Sequence, residues 1–290
     1  VPRRRAVRPA SRRGPAVLLV LAATALAGLD AVIVRHLGGA VPPMVIAFFR
    51  ALFGLAVVLP WIVARVDLRA SPYRGLHVAR AGLKQASLVA LFLAFTHAPL
   101  ADATAMTFTT PIFLTLGAWA FLGERIGRPR MVALLAGFLG ILVILRPGGA
   151  GFDPWLLCAL AGALLTAVIQ VILRGMTGRD TPDRLVAWNL LAMAPLGLIG
   201  ALPFWVTPTP AQLGLLALQG ILGALNMTLI TRAFSLAEAS FLAPFDFLRL
   251  PLVALLAFVF FHEVAPPATW AGAGVIILAV VLANSRGQRE

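Results

Sequence analysis

The residues of this chain that could do chemistry are the few charged and amide side chains set inside long apolar runs. Asp30 lies in the last third of one such run, and Arg50 sits seven residues into the next, about 10 Å along the axis at 1.5 Å per residue. A charge inside a membrane helix costs about 2.5–3.5 kcal/mol on the lower scale unless it meets a partner or a water-filled cavity. The short connection makes the two runs antiparallel neighbours, so the sequence predicts an Asp30–Arg50 ion pair, either a structural clamp or a direct handler of substrate or protons. Asp246 and Arg249, three residues apart, share a helix face. They can neutralise each other, or act at a gate or on a substrate carboxylate.

Further polar groups extend this set. Lys84 and Gln85 stand near one end of an apolar run, where Lys84 either snorkels to the headgroups or faces a cavity. Gln219, Gly223 and Asn226 share a face by i, i+4, i+7 spacing, and Gly162, Thr166 and Gln170 do so by i, i+4, i+8 spacing. Such amides and small residues either hold helices together or hold a polar ligand. Phe108, Trp188 and Phe241 are candidates for an apolar wall, with Thr110 beside Phe108 as a hydroxyl donor. Pro111, Pro244 and Pro251 cannot donate backbone hydrogen bonds, which frees the carbonyls of Thr107, Ser240 and Phe247. Kinked helices lining a cavity are expected at these prolines, against the simpler alternative of packing kinks filled by threonine hydroxyls.

Several chemistries are absent. His36, His77, His97 and His262 are scattered, so no metal cluster is expected. There is no HExxH helix and no G-K-S/T phosphate loop, and the glycines of RPGGAG follow no strand. The reading is therefore of a chain with no cofactor, no enzymatic activity and no ATPase subunit.

The elements that must position these residues are membrane helices. Apolar residues make up 60% of the chain and charged residues 12%, against roughly 45–50% and 25% in soluble domains. A bilayer core needs about 20 helical residues, and ten spans of that kind can be drawn: 17–34, 43–64, 82–98, 103–122, 131–145, 155–173, 185–206, 213–234, 239–261 and 269–284. The single Cys158 supports neither an internal disulfide nor a metal motif. Ala103–Glu124 and Ala239–Glu263 look like copies, with the glutamates 139 residues apart, so the chain reads as one five-helix unit used twice. Five is odd, so the second unit enters the membrane inverted, as in many secondary transporters. At the same offset Arg50 meets Asn189, and Asp30 falls beside Gln170.

Basic residues set the orientation. Alternate connections and tails on one side hold 20 Lys and Arg, while the other side holds only Arg35 and Arg146. Both termini are thus expected in the cytoplasm. The net charge of +13 reads as this topology signal and not as a nucleic-acid surface. The expected parts are a basic cytoplasmic tail (1–16), a first repeat (17–146), a second repeat (147–284) and a short tail (285–290).

The segments PLADATAMTFTTPIFLTLGAWAFLGERIG and GFLGILVILRPG, the FFRALFG stretch, and the later LAEASFLAPFDFLRLP with FFHE resemble the EamA family of the drug/metabolite transporter superfamily. Within it the chain is similar to the aromatic amino acid exporter type. The resemblance implies an all-α membrane protein of ten transmembrane helices in two inverted five-helix repeats, sited in a bacterial inner membrane. It implies a central cavity formed chiefly by spans 1, 3, 4, 6, 8 and 9, with spans 5 and 10 peripheral. It further implies that Glu124 and Glu263 cap or pair. His262 stands where the family commonly has glycine. The expected activity is export of small metabolites, most of all amino acids, by alternating access; the alternatives are uptake or exchange of another metabolite or export of drugs, and, further off, a non-transporting scaffold or a membrane enzyme. A zwitterion would place its carboxylate on Lys84 or helix-end donors, its amine on Asn226 and backbone carbonyls, and its apolar part against Phe108 and Phe241.

Overall fold

A computed structural model describes residues 13–68, 71–122, 128–146, 152–176, 180–236, 242 and 245–286. Among them the regular structure is helical: α1 (Arg13–Leu37), α2 (Pro43–Arg65), α3 (Arg74–His97), α4 (Leu100–Thr107), α5 (Thr110–Leu122), α6 (Arg128–Leu145), α7 (Trp155–Met176), α8 (Pro182–Ala201), α9 (Pro210–Leu236), α10 (Arg249–Phe261) and α11 (Pro267–Arg286). Helices α1, α2, α3, α7, α8 and α9 contain stretches long and apolar enough to cross a membrane, and α6, α10 and α11 contain shorter apolar ones. Pro43 and Pro182 open their helices, where a missing N–H is harmless.

Span 4 differs from its expected form. It is two helices, α4 and α5, parted by a turn at Phe108 and Thr109. Span 9 shows a turn at the matching place, Phe247 and Leu248. Pro111 and Pro251 lie just past these turns, within the first turn of α5 and α10. Each proline lacks the N–H that would bond the carbonyl four residues back, Thr107 or Phe247, and its ring crowds that carbonyl, so the chain breaks and restarts instead of bending. Span 3 is also longer than expected and begins at Arg74, which puts His77 and Arg80 inside it.

The chief packing partners cross between the halves. Helix α1 packs on α9 and α10, α3 on α7 and α8, α2 on α8 and α9, α4 on α10, and α6 on α11. This is the exchange that two inverted copies demand. At the α6–α11 crossing a Cβ on Gly140 would stand 2.8 Å from the Gly272 carbonyl oxygen, and one on Gly272 would stand 2.7 Å from that of Gly140. These backbones touch, as small residues permit in lipid. Large apolar side chains such as Val63, Phe121 and Phe260 face outward, whereas Asp102, Gln219 and Thr269 are buried. That is the arrangement of a protein whose solvent is lipid.

Candidate functional site

A cavity of about 230 Å³ lies between the two halves. Its walls come from α1 (Ala27, Asp30), α2 (Arg50), α3 (Lys84, Phe92, Phe95), α4 (Thr104, Thr107), α9 (Gly223, Asn226) and α10 (Arg249, Val253). Span 6, expected to contribute, supplies no lining residue, and span 2 contributes through Arg50.

Arg50 Nη1 donates to Asp30 Oδ1, forming the ion pair that matching depth predicts. The guanidinium also lies over Phe92, 5.8 Å from the ring centre. Gly223 makes room for it, since a Cβ there would sit 3.0 Å from Arg50 Nη2. Asn226 Nδ2 donates to the Ala23 carbonyl at 2.6 Å, tying α9 to α1. Arg249 Nη2 donates to Thr107 Oγ1 at 2.9 Å and stands 3.6 Å from Asp246 Oδ2. Thr107 Oγ1 in turn donates to the Thr104 carbonyl at 2.7 Å. Arg249 thus joins the two interrupted spans, with its charge 5.2 Å from the Phe108 ring centre. Phe108 and Phe247 meet edge to face at 5.2 Å. Lys84 reaches the cavity with no hydrogen-bond or ion-pair partner among the described residues.

Other sequence-nominated residues sit elsewhere. Gln85 is buried against Gly197 of α8, because neighbouring helix positions stand about 100° apart and Lys84 takes the cavity face. Phe108 is buried under Arg249 and Phe247 rather than lining the space. Thr110 donates to the Thr107 carbonyl at 2.8 Å, so the carbonyl freed by Pro111 is occupied by a hydroxyl and does not face a ligand. The carbonyl freed by Pro251, that of Phe247, accepts Leu250 N–H at 3.2 Å. Gln170 lies on α7 away from the lining, and Gln219 is fully buried beside Asp30 without a well-formed hydrogen bond. Trp188 stacks on His77 at 5.5 Å, well outside the cavity lining. Phe241 and Pro244 lie outside the described residues, as does Glu124.

Three clusters have partners that the sequence did not name, although Glu263 was expected to cap or pair. Arg35 pairs with Glu263 and donates to the carbonyls of Thr96 at 2.6 Å and Ala98 at 3.0 Å, at the C-terminal end of α3. Glu263 Oε2 accepts Leu100 N–H at 2.9 Å, capping α4. Thr269 donates to the buried Asp102. Where α3 meets the segment before α8, Asp180 accepts from Ser71 at 2.6 Å and Arg184 at 2.6 Å, with His77 at 3.0 Å. Burial opposes the Asp180 charge, but these hydrogen bonds and the Arg184 charge outweigh it and hold the carboxyl down to about 2. A signal for the cavity wall was available: Leu88, Leu91 and Phe95 follow Lys84 at helical spacing.

The EamA-like transporter family matches residues 14–146 and 153–285, two segments displaced by 139 residues. The chain therefore belongs to the EamA family, and its fold is the ten-span, two-repeat architecture of drug/metabolite transporters. It is 34% identical over 244 residues to a riboflavin transporter of Rhizobium johnstonii, covering 83% of this chain and 80% of that one. An S-adenosylmethionine uptake transporter of Rickettsia conorii is 30% identical, covering 85% and 84%. A pseudopaline exporter of Pseudomonas aeruginosa is 30% identical over 94% of this chain and 96% of its own. A solved crystal structure with 24% identity shares the fold, with a TM-score of 0.61 over 96% of this chain and 99% of that one.

Proposed function

We propose that this protein is a secondary exporter of small metabolites, amino acids foremost, working by alternating access with both termini in the cytoplasm of a bacterial inner membrane. The observation that carries the reading is the cavity itself. Asp30, Arg50, Lys84, Asn226 and Arg249 converge on a space between two inverted repeats, with Phe92 and Phe95 as an aromatic wall. Its volume of about 230 Å³ falls below the roughly 300–1,000 Å³ of pockets for drug-sized ligands, which favours a molecule of amino-acid size. The aromatic residues Phe92 and Phe95 take the place expected for Phe108 and Phe241, and they keep an aromatic amino acid within the proposal.

Uptake of a larger metabolite is the second reading. It is favoured by the relatives named riboflavin and S-adenosylmethionine transporters.

The test is efflux from proteoliposomes preloaded with mixed amino acids and read by mass spectrometry, with and without a pH gradient. Selective loss of a few amino acids is expected. Retention of all of them by folded, inserted protein, with riboflavin or S-adenosylmethionine moving instead, would replace this reading by the second.

A further inference from the structure

The charges around the cavity do not balance. Asp30 is committed to Arg50, and Arg249 is shared between Asp246 and Thr107. Lys84 has no carboxylate and no hydrogen-bond acceptor among the described residues, and Arg50 acts on it only by repulsion. An ammonium removed from bulk water without a counter-charge costs several kcal/mol. A protein that keeps one there gains something back when a ligand supplies the missing charge. Lys84 stands on the same wall as Leu88, Leu91 and Phe92, so its amine is the polar tip of an apolar surface. Asn226 has its amide N–H engaged by Ala23, which leaves its Oδ1 as an acceptor on the opposite helix.

We propose that Lys84 is an anion-docking site, and that the carried molecule presents a carboxylate to the Lys84 Nζ while its apolar part rests on Leu91, Phe92 and Phe95. The inference rests on the transporter reading for its biological meaning, but the docking chemistry is testable apart from it. A substrate amine, where there is one, falls to Asn226 Oδ1. A monoanion paired with Lys84 balances the cavity, so the protein loaded with one buries less net charge than the empty one, whereas a zwitterion satisfies Lys84 without changing the net charge.

The experiment measures the thermal unfolding midpoint of the purified full chain in detergent at constant ionic strength, with sodium benzoate or its neutral match benzamide. Benzoate is expected to raise the midpoint of the wild type and of Lys84→Arg, and benzamide is expected to leave both unchanged. Lys84→Met, which keeps length and loses charge, is expected to unfold at a higher temperature when empty and to bind benzoate at least ten-fold more weakly. Equal effects of benzoate and benzamide on the wild type would overturn the proposal, as would an unchanged benzoate response in Lys84→Met. Benzoate discrimination without amino acid efflux would support the anion site and refute amino acids as the cargo. Efflux without discrimination would refute the anion site and leave the transporter reading standing.

Discussion

The same backbone interruption occurs once in each repeat, and the two are stabilised differently. At Phe108–Thr109 the break is closed from within: Thr107, Thr109 and Thr110 turn their hydroxyls back onto the carbonyls of Thr104, Met106 and Thr107. At Phe247–Leu248 the flanking residues are Asp246 and Arg249, and Arg249 reaches across to Thr107 in the other repeat. One break is self-sufficient and the other depends on its mate. The same imbalance holds more widely, since at the repeat offset Arg50 of the first repeat meets Asn189, and Asp30 falls beside Gln170. Asn189 merely donates to the Met193 sulfur. Duplication therefore supplied the interrupted span twice, but the Asp30–Arg50 pair in the cavity wall only once.

The comparison is broken most severely at Asp30. Asp30→Asn leaves the Arg50 guanidinium without its carboxylate, and removing one partner of a buried pair costs about 3–5 kcal/mol. Thermal unfolding in detergent should show that loss, and Asp30→Asn with Arg50→Met should recover much of it; a single variant as stable as the wild type would contradict the pairing. Next comes Arg249→Ala, which cuts the link between the two breaks and removes a charged hydrogen bond worth about 1.5–3 kcal/mol. Transport should fall at least ten-fold, whereas Thr110→Val, which touches only the self-sufficient break, should cost about 1 kcal/mol and leave flux within a few-fold.

A smaller effect concerns the contact between repeats at Asp180. Its folded-state pKa lies below the unfolded value near 3.8, so the stabilisation is complete above that value and is lost as the pH falls toward about 2. Linkage makes the full contribution about 2 kcal/mol. Unfolding midpoints between pH 5 and pH 3 should therefore drop more steeply in the wild type than in Asp180→Asn. Smallest is His262→Gly. His262 closes α10 with φ at 56°, a left-handed geometry that glycine adopts without strain. The substitution should raise stability by up to about 1 kcal/mol, and a loss would show that the imidazole makes a contact of its own.

What the sequence made legible was whatever depends on depth and period. Arg50 and Asp30 could be paired because a short connection fixes two neighbouring spans at matching depth, and the repeat could be found because proline, aromatics and glutamate recur at one offset. What it hid depends on how the repeats dock. Arg35 and Glu263 are 228 residues apart, and His77 and Asp180 are 103 apart. No local rule brings such pairs together. Lys84 and Gln85 illustrate the middle case: both were polar and deep enough to be candidates, and only the direction in which α3 meets α8 decides that the amide packs on Gly197 while the amine meets the cavity. The freed carbonyls admit two readings in the sequence, ligand acceptors or kinks filled by threonine hydroxyls; Thr110 takes the second course at Thr107, and the capture of the Phe247 carbonyl by Leu250 N–H is a matter of local geometry.

Phe108 and Phe247 are separated by the repeat offset of 139 residues, and they touch. Two counterparts in contact must straddle the axis that relates the halves. If each repeat took on the other's shape, the rings would trade places, and the one now presenting its edge would present its face. The contact would be kept at the centre of such an exchange, with only the roles of its two rings reversed.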